Sequence, residues 1–325
     1  MQSHLSSFHR GVRWVGRYAK GYFEPGRFEP SGDPSLNVET TNICSSKCIY
    51  CPNSVMAREK QSMDMGIFKK TIDEYAAMGG HVISFTPTIG DPLIDKNLIE
   101  RGRYVRQYAQ FTSLGFFTPL QWLHRHDIND FFSAGFTWLG ISISLSGKES
   151  YKSFFGVDRY EQTVKNLETL IHENNRRGNS LKLTIFLVPT DEPIEKVAKH
   201  PDLIRIKSLL GQDSKDCIEE QRGAYVDDWH GNVKLPEYLR RTPLYPRYFR
   251  PCRMLFSGLT VHSNGLVDAC RCHNFDATGD LILGDIKDTE LNEMWNGVRL
   301  KFLRDNWKSK SKVPDICQKC RSYLY

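Results

Sequence analysis

A chain of 325 residues with 40% hydrophobic and 25% charged residues has the makeup of a folded globular protein, long enough to bury a substantial core in one or two domains. The net charge of +6 comes with no polybasic block beyond Arg299 to Arg321, so nucleic-acid binding is not implied and a solvated basic face accounts for those residues. The longest apolar candidate, Trp138 to Leu145, suits a buried strand and is far too short to span a bilayer, and Met1 to Arg10 has no apolar signal core, so a cytoplasmic protein without membrane association is expected.

In chain order, Leu5, Phe8, Val12 and Val15 recur at helical spacing beside His9, Arg10, Arg13, Arg17 and Lys20, which predicts a basic amphipathic helix within residues 2 to 30. Such a helix can lie on a membrane surface; packing against the main domain is the reading taken here. Pro25, Gly26, Pro30, Gly32 and Pro34 form a turn-rich connection to a first strand at Leu36 and Val38. Directly after it comes Cys44-Ser45-Ser46-Lys47-Cys48-Ile49-Tyr50-Cys51. Three thiolates on one tight loop can reach three corners of a 4Fe-4S cubane, and the missing fourth cysteine leaves one iron open for chemistry. A zinc site or three buried core thiols are the alternatives, although zinc would want a fourth ligand close by.

From there strand and helix patterns alternate, as in parallel sheets closed by crossover helices. A helix capped by Asp64 shows Met65, Phe68, Ile72 and Tyr75 on one face and stops at Gly79-Gly80. Strand Val82 to Thr86 leads into Gly90-Asp91-Pro92, then a helix over Leu98 to Ala109 and a strand over Phe111 to Phe117. A helix with Ile128, Phe131 and Phe132 ends at Gly135, and Trp138 to Leu145 is the fourth strand. Val164, Leu167 and Ile171 mark a helix ended by Gly178, Leu181 to Val188 is the fifth strand, and Ile204 to Leu209 is a weaker sixth. Six such units fall short of the eight of a full barrel, which predicts a partial one. Cys217 follows the sixth predicted strand, where barrel folds place their chemistry, and its S-H bond makes it a candidate hydrogen-atom donor; an inert packing thiol is the alternative.

After Pro251 the pattern changes. Leu259 to Val261 and Leu266 to Cys270 flank Asn264-Gly265, a strong hairpin signal. Asp288 and Thr289 can cap a helix with Leu291, Met294, Trp295, Val298 and Phe302 on one face, and the chain closes with Cys317-Gln318-Lys319-Cys320. Cys252, Cys270, Cys317 and Cys320 make a complete thiol set for a second cluster, with Cys272 a substitute for Cys270 and a four-cysteine zinc site the alternative. Nine cysteines grouped in this way argue for metal binding over disulfides.

The CxxxCxxC spacing of Cys44, Cys48 and Cys51, with Tyr50 before the third cysteine, resembles the signature of the radical S-adenosylmethionine (radical SAM) enzymes. Cys252, Gly265 and Cys270 in Gly-x4-Cys form, Cys317 and Cys320 resemble the shortened SPASM, or twitch, module. The resemblance covers residues 35 to 325 and implies an α/β fold: a partial (β/α)6 barrel over 35–245 after an N-terminal extension (1–34), and a β-hairpin plus helix iron-sulfur module over 246–325. It implies S-adenosylmethionine, a catalytic 4Fe-4S cluster and an auxiliary 4Fe-4S cluster as cofactors. In the family the open iron chelates S-adenosylmethionine, whose reductive cleavage yields a 5'-deoxyadenosyl radical that abstracts hydrogen. Gly90-Asp91-Pro92 matches the family's Gly-Glu-Pro at the methionyl amine, with Asp91 replacing the glutamate and Ile89 a common glycine. Tyr50 would lie near the adenine, and Ser144 matches a serine that contacts the ribose or carboxylate. Ser146 stands where an aspartate is common, and Phe116-Phe117-Thr118 replaces a frequent Thr-Asn-Gly.

The implied function is a radical SAM oxidoreductase or epimerase, with an electron donor such as flavodoxin or ferredoxin. Relatives with a single auxiliary cluster often act on carbohydrates or cyclitols, and the first 35 residues are too short for a peptide-recognition domain, which favours a carbohydrate-like small-molecule substrate. The alternatives are a peptide-modifying maturase and, from another class, a non-catalytic protein using both cysteine groups as zinc scaffolds.

Overall fold

A computed structural model describes residues 28–86, 89–189, 192–211, 217–220, 225–242, 252–270, 273–309 and 313–321. The alternating pattern becomes six parallel strands lying side by side in chain order: β1 (Ser35–Val38), β2 (Val82–Ser84), β3 (Ser113–Thr118), β4 (Trp138–Ile143), β5 (Lys182–Leu187) and β6 (Ile218–Glu220). The crossovers carry α1 (Met65–Ala77), α2 (Leu98–Val105), α3 (Ile128–Ser133), α4 (Lys148–Phe155), α5 (Tyr160–Arg176), α6 (Ile194–Ala198) and α7 (Pro201–Leu210). Phe68, Ile72 and Tyr75 bury one stripe of α1, and the Asp64 carboxylate accepts from the Gly66 and Ile67 amides as its N-cap. Ile83, Leu114, Phe116, Ile141 and Ile185 from neighbouring strands are wholly buried, as parallel strands covered by helices require.

The sheet does not end at β1. A hairpin of β9 (Gly258–Val261) and β10 (Leu266–Asp268) turns at Asn264-Gly265, and β9 pairs with β1 in parallel from Ser35 opposite Gly258 to Val38 opposite Val261. A third strand, β11 (Ile282–Asp285), pairs antiparallel with β10, giving a nine-stranded open sheet in the order β11-β10-β9-β1-β2-β3-β4-β5-β6. A separate two-stranded pair joins β7 (Tyr225–Val226) to β8 (Arg240–Arg241). The short α8 (Arg253–Ser257) precedes β9, and α9 (Leu291–Asn296), α10 (Val298–Lys308) and α11 (Asp315–Lys319) complete the chain.

Four expectations are corrected. The strand expected at Ile204 to Leu209 is helix α7: Pro201 occupies its first turn, Leu203 and Ile206 are buried three apart, and Ile204 is exposed. The sixth strand is instead Ile218–Glu220, so Cys217 immediately precedes it, and Ile218 pairs with Ile185 in the second half of β5. Cys217 therefore stands before a parallel strand and not after one. The single helix through Leu291 and Phe302 is two helices split at Gly297, whose extended backbone caps α10, and Val298 and Phe302 point outward at 86% and 63% exposure. Glu290, in place of Asp288 or Thr289, is the N-cap of α9. Helix α4 and strand β11 had no counterpart in the sequence reading. The amphipathic helix expected within residues 2 to 30 lies almost wholly outside the described residues, as does Cys272.

Candidate active site

The loop carrying Cys44, Cys48 and Cys51 leaves the C-terminal end of β1, and the backbone ties it down on two sides. Lys47 and Ile49 donate their amides to the carbonyls of Phe155 and Phe154 at the end of α4, at 2.7 and 3.0 Å. Gly156 follows at φ +66, where a Cβ would come within 2.8 Å of the Lys47 side chain, so the glycine lets the helix end close on the loop. Within the loop the Cys51 amide donates to the Cys48 carbonyl at 3.0 Å. Ser45 Oγ accepts from Trp122 Nε1 at 2.8 Å and donates to Gln121 Oε1 at 3.0 Å.

Gly90-Asp91-Pro92 closes the other side. The Asp91 amide donates to the Ile43 carbonyl at 3.0 Å, one residue before Cys44. Gly90 has φ +108, and a Cβ there would lie 2.0 Å from the Thr41 carbonyl oxygen. Asp91 is fully buried; its Oδ1 accepts from Thr118 Oγ1 at 2.7 Å and from the Leu93 amide, and its Oδ2 has no partner. Burial pushes this carboxyl up to about 6, against the lowering by Thr118 and the Leu93 amide.

The thiols feel one another and this carboxylate. Burial, then Asp91 and Cys51, push Cys44 up to about 12, and burial followed by the neighbouring thiolates raises Cys48. Bare thiolates are therefore costly in this nest, and a metal cation is what makes three of them stable together. The unpaired Asp91 oxygen beside Cys44 is a ready acceptor for a cationic amine. The donor set thus fits both an iron-sulfur cluster and S-adenosylmethionine.

Other residues singled out from the sequence stand on the same edge of the sheet. Tyr50 packs its ring 5.2 Å from Phe154, and burial followed by the nearby thiolates raises its phenol. Ser144 follows β4, buried, with its Oγ 2.8 Å from that of Ser146, which in turn donates to Ser150 on α4. Pro92 is buried in the turn after Asp91.

The four C-terminal thiols converge from α8, β10 and α11: Cys252, Cys270, Cys317 and Cys320 line one apolar chamber with Leu255, Leu281, Trp307 and Ile316. Burial raises the Cys252 thiol, and Cys270 Sγ accepts from the His273 amide at 3.4 Å. This is a closed set of soft donors in dry surroundings, suited to a fully ligated cluster.

Sequence reasoning missed what joins the two thiol groups. Glu39, at the end of β1 and 0% exposed, accepts from Arg58 Nη1 and Nη2 at 2.7 and 2.8 Å and from the Ser263 amide and hydroxyl at 3.1 and 2.8 Å. His262 stands between Glu39 Oε2 at 3.6 Å and Asp268 Oδ2 at 3.2 Å, and the other oxygen of Asp268 accepts from the Cys270 amide at 2.7 Å. Burial opposes charge on both, yet Arg58 and His262 hold Glu39 at about 2, while Asp268 and Glu39 lift His262 to about 9. A second link is Trp229, which donates its indole N-H to the Tyr50 carbonyl at 2.6 Å and packs 5.2 Å from His273. Lys60, whose ammonium interacts with Cys44 and Cys51, is a further neighbour of the loop. The only sequence signal was position: Glu39 ends the first strand, and His262 sits in the hairpin.

The Radical SAM superfamily profile matches residues 38–200, half of the chain, and the profile of the SPASM iron-sulfur cluster-binding domain matches residues 252–321. The chain belongs to the radical SAM superfamily. It is a radical SAM enzyme with a C-terminal SPASM domain, and its cofactors are S-adenosylmethionine, a 4Fe-4S cluster and an auxiliary iron-sulfur cluster. Zinc scaffolding as the role of both cysteine groups is thereby set aside.

A GTP 3',8-cyclase of Chlorobaculum tepidum is 26% identical over 136 residues, which is 42% of this chain and 40% of that protein. Three solved structures share the fold at low identity. BtrN in complex with AdoMet and 2-DOIA has a TM-score of 0.53 and 17% identity, with 89% of this chain and 92% of that chain covered. SuiB of Streptococcus suis bound to precursor peptide SuiA has a TM-score of 0.63 and 12% identity over 99% and 75%. The protein anSMEcpe with bound AdoMet has a TM-score of 0.52 and 16% identity over 90% and 84%. Among the described residues no helix is long and apolar enough to cross a membrane.

Proposed function

We propose that this radical SAM enzyme removes a hydrogen atom from a carbohydrate-like small molecule and completes a dehydrogenation, with a flavodoxin- or ferredoxin-type protein as electron donor. Cys44, Cys48 and Cys51 hold the catalytic cluster, Tyr50, Gly90, Asp91, Pro92 and Ser144 line the S-adenosylmethionine pocket, and Cys252, Cys270, Cys317 and Cys320 hold the auxiliary cluster. When bound, these groups supply the reducing electron, the hydrogen-abstracting radical and an electron acceptor. The chain supplies position: α4 and the Gly90 turn fix the cysteine loop, and the buried Asp91 oxygen offers an anion for the methionyl amine.

The observation that carries the reading is the apolar chamber lined by four thiols. A cluster ligated at every iron has no site for substrate and is suited to taking an electron. Dehydrogenation is preferred to epimerisation because a fully ligated cluster can take the electron that a substrate radical gives up, whereas inversion needs a hydrogen donor, for which Cys217 before β6 is the candidate thiol. Support for a small substrate comes from BtrN, solved with AdoMet and 2-DOIA and covered over 92% of its length.

Peptide modification is the second reading, favoured by the likeness to SuiB bound to its precursor peptide. Anaerobic incubation with carbon-deuterated cyclitols and sugars, following deuterium into 5'-deoxyadenosine by mass spectrometry, separates the two. Deuterium from a cyclitol or sugar supports the proposal; transfer only from a deuterated peptide would replace it with the second reading.

A further inference from the structure

His230, His273 and Cys320 come from the loop between β7 and β8, the stretch after β10 and the end of α11. One ligating atom from each lies within 4.8 Å of the other two. His273 is 3% exposed; its Nε2 faces Asp227 Oδ2 at 3.6 Å, and its Nδ1 is buried with no hydrogen-bond partner. Nε2 of His230 is likewise buried and unpartnered, and the two rings stand 4.8 Å apart. A carboxylate behind a histidine is the usual outer-shell arrangement at metal sites, where it fixes the ring and leaves the other nitrogen for the ion.

The backbone holds His230 there at a cost. Trp229 and His230 both have positive φ, 53° and 63°, a conformation that side chains rarely adopt and that collects at functional sites. The Trp229 amide donates to Asp227 Oδ1 at 2.7 Å, so one carboxylate orients both the turn and His273. In a tetrahedral site with metal-nitrogen bonds of about 2.0 Å and metal-sulfur bonds of about 2.3 Å, donors stand about 3.3 to 3.6 Å apart. Closing from 4.8 Å to that spacing needs at most about 1.2 to 1.5 Å of movement.

We propose that His230, His273 and Cys320 form a mononuclear site for a divalent transition-metal ion of the zinc and iron(II) class, adjoining the four-thiol chamber, which His273 also lines, and sharing Cys320 with it. Two imidazoles and a thiolate are the donors such ions take, and a water fills the fourth position. Binding releases the Cys320 thiol proton to solvent and changes no oxidation state. Because one sulfur cannot serve both in full, the ion and the auxiliary cluster occupy the module alternately; this clause rests on the assignment of Cys320 to the auxiliary cluster. A single ferrous ion held beside the remaining thiols would make the site a point of entry for cluster assembly.

The test uses the full chain with Cys44, Cys48 and Cys51 replaced by alanine, so that the front loop cannot compete, and cobalt(II) alone as the probe. Purified without cluster reconstitution, it should bind one cobalt ion with visible d-d bands and a thiolate charge-transfer band. His230→Gln and His273→Gln should each weaken binding at least tenfold and Cys320→Ala should remove the charge-transfer band, while Cys252→Ala changes nothing. Asp227→Asn, which alters no donor, should weaken binding about tenfold and serves if a histidine variant fails to fold. Cobalt binding lost in Cys252→Ala but kept in both histidine variants would overturn the site in favour of the four-thiol set. A reconstituted chain that keeps its auxiliary cluster and still takes up cobalt at the histidines would overturn the sharing of Cys320 and leave the histidine site standing.

Discussion

Replacing Glu39 with glutamine tests the buried charge network that ties the cysteine loop to the SPASM hairpin. Glu39 is wholly buried and answers Arg58 through two hydrogen bonds at 2.7 and 2.8 Å, with His262 at 3.6 Å. Glutamine keeps the shape but removes the negative charge that Arg58 and His262 share and turns an N-H2 group toward other donors. Breaking a buried ion pair from one side costs about 3 to 5 kcal/mol. The carboxyl's own titration gives a similar size: moving it from 4.5 to about 2 is worth on the order of 3 kcal/mol at about 1.36 kcal/mol per pH unit. Because the folded value is the lower one, this stability is fully present above pH 4.5 and fades as pH falls toward about 2, so a neutral buffer reads the whole effect. At ~2 °C per kcal/mol for a chain of this size, the midpoint of thermal unfolding of the cluster-loaded variant should fall by about 6 to 10 °C. Anaerobic circular dichroism melts of both proteins at pH 7.5 supply the comparison. A fall of less than about 2 °C would refute the reasoning.

His262 should titrate in the opposite sense. Its folded value near 9 lies above 6.5, so its contribution is complete below pH 6.5 and is lost as pH rises through about 9; wild-type melts should drop across that window, and His262→Gln melts should drop less. Gly90→Ala combines a φ of +108 with a Cβ 2.0 Å from the Thr41 carbonyl, a strain of about 2 to 4 kcal/mol. The turn should shift off the Ile43 carbonyl, so iron bound by the front loop and S-adenosylmethionine cleavage should both fall, and wild-type values for both would contradict the tight turn. Trp229→Phe keeps the ring but removes the bond to the Tyr50 carbonyl, worth about 1 kcal/mol. It should alter the electron paramagnetic resonance signal of the reduced catalytic cluster while leaving total iron unchanged; an unaltered signal would show that the indole contact does not reach the cluster.

The alternating strand and helix pattern was legible because apolar residues repeat with two clear periods, so β1 to β5 and the long helices α1 and α5 stand where the sequence placed them, within a few residues. Ile204 to Leu209 misled because a short apolar run reads as strand or helix alike; the His200-Pro201 start was the better guide. The true sixth strand, Ile218–Glu220, is three residues long and two of them are glutamates, which leaves no periodic signal. The Asn264-Gly265 hairpin was evident from its turn chemistry, yet its parallel pairing with β1, Ser35 opposite Gly258 and so 223 residues away in the chain, is a tertiary fact that no local pattern encodes. The cysteine groups were visible through spacing alone. Their setting was not: Glu39, Arg58 and His262 are ordinary residues in sequence, and only folding brings them together. Trp229 and His273 become neighbours in the same way.

The most direct measurement is release of 5'-deoxyadenosine during anaerobic incubation with S-adenosylmethionine and dithionite. The reconstituted wild-type chain should form it together with methionine, and a chain with Cys44, Cys48 and Cys51 all replaced by alanine should form none above the enzyme-free background. Equal release from both would contradict the assignment of these three thiols to a cluster with one open iron.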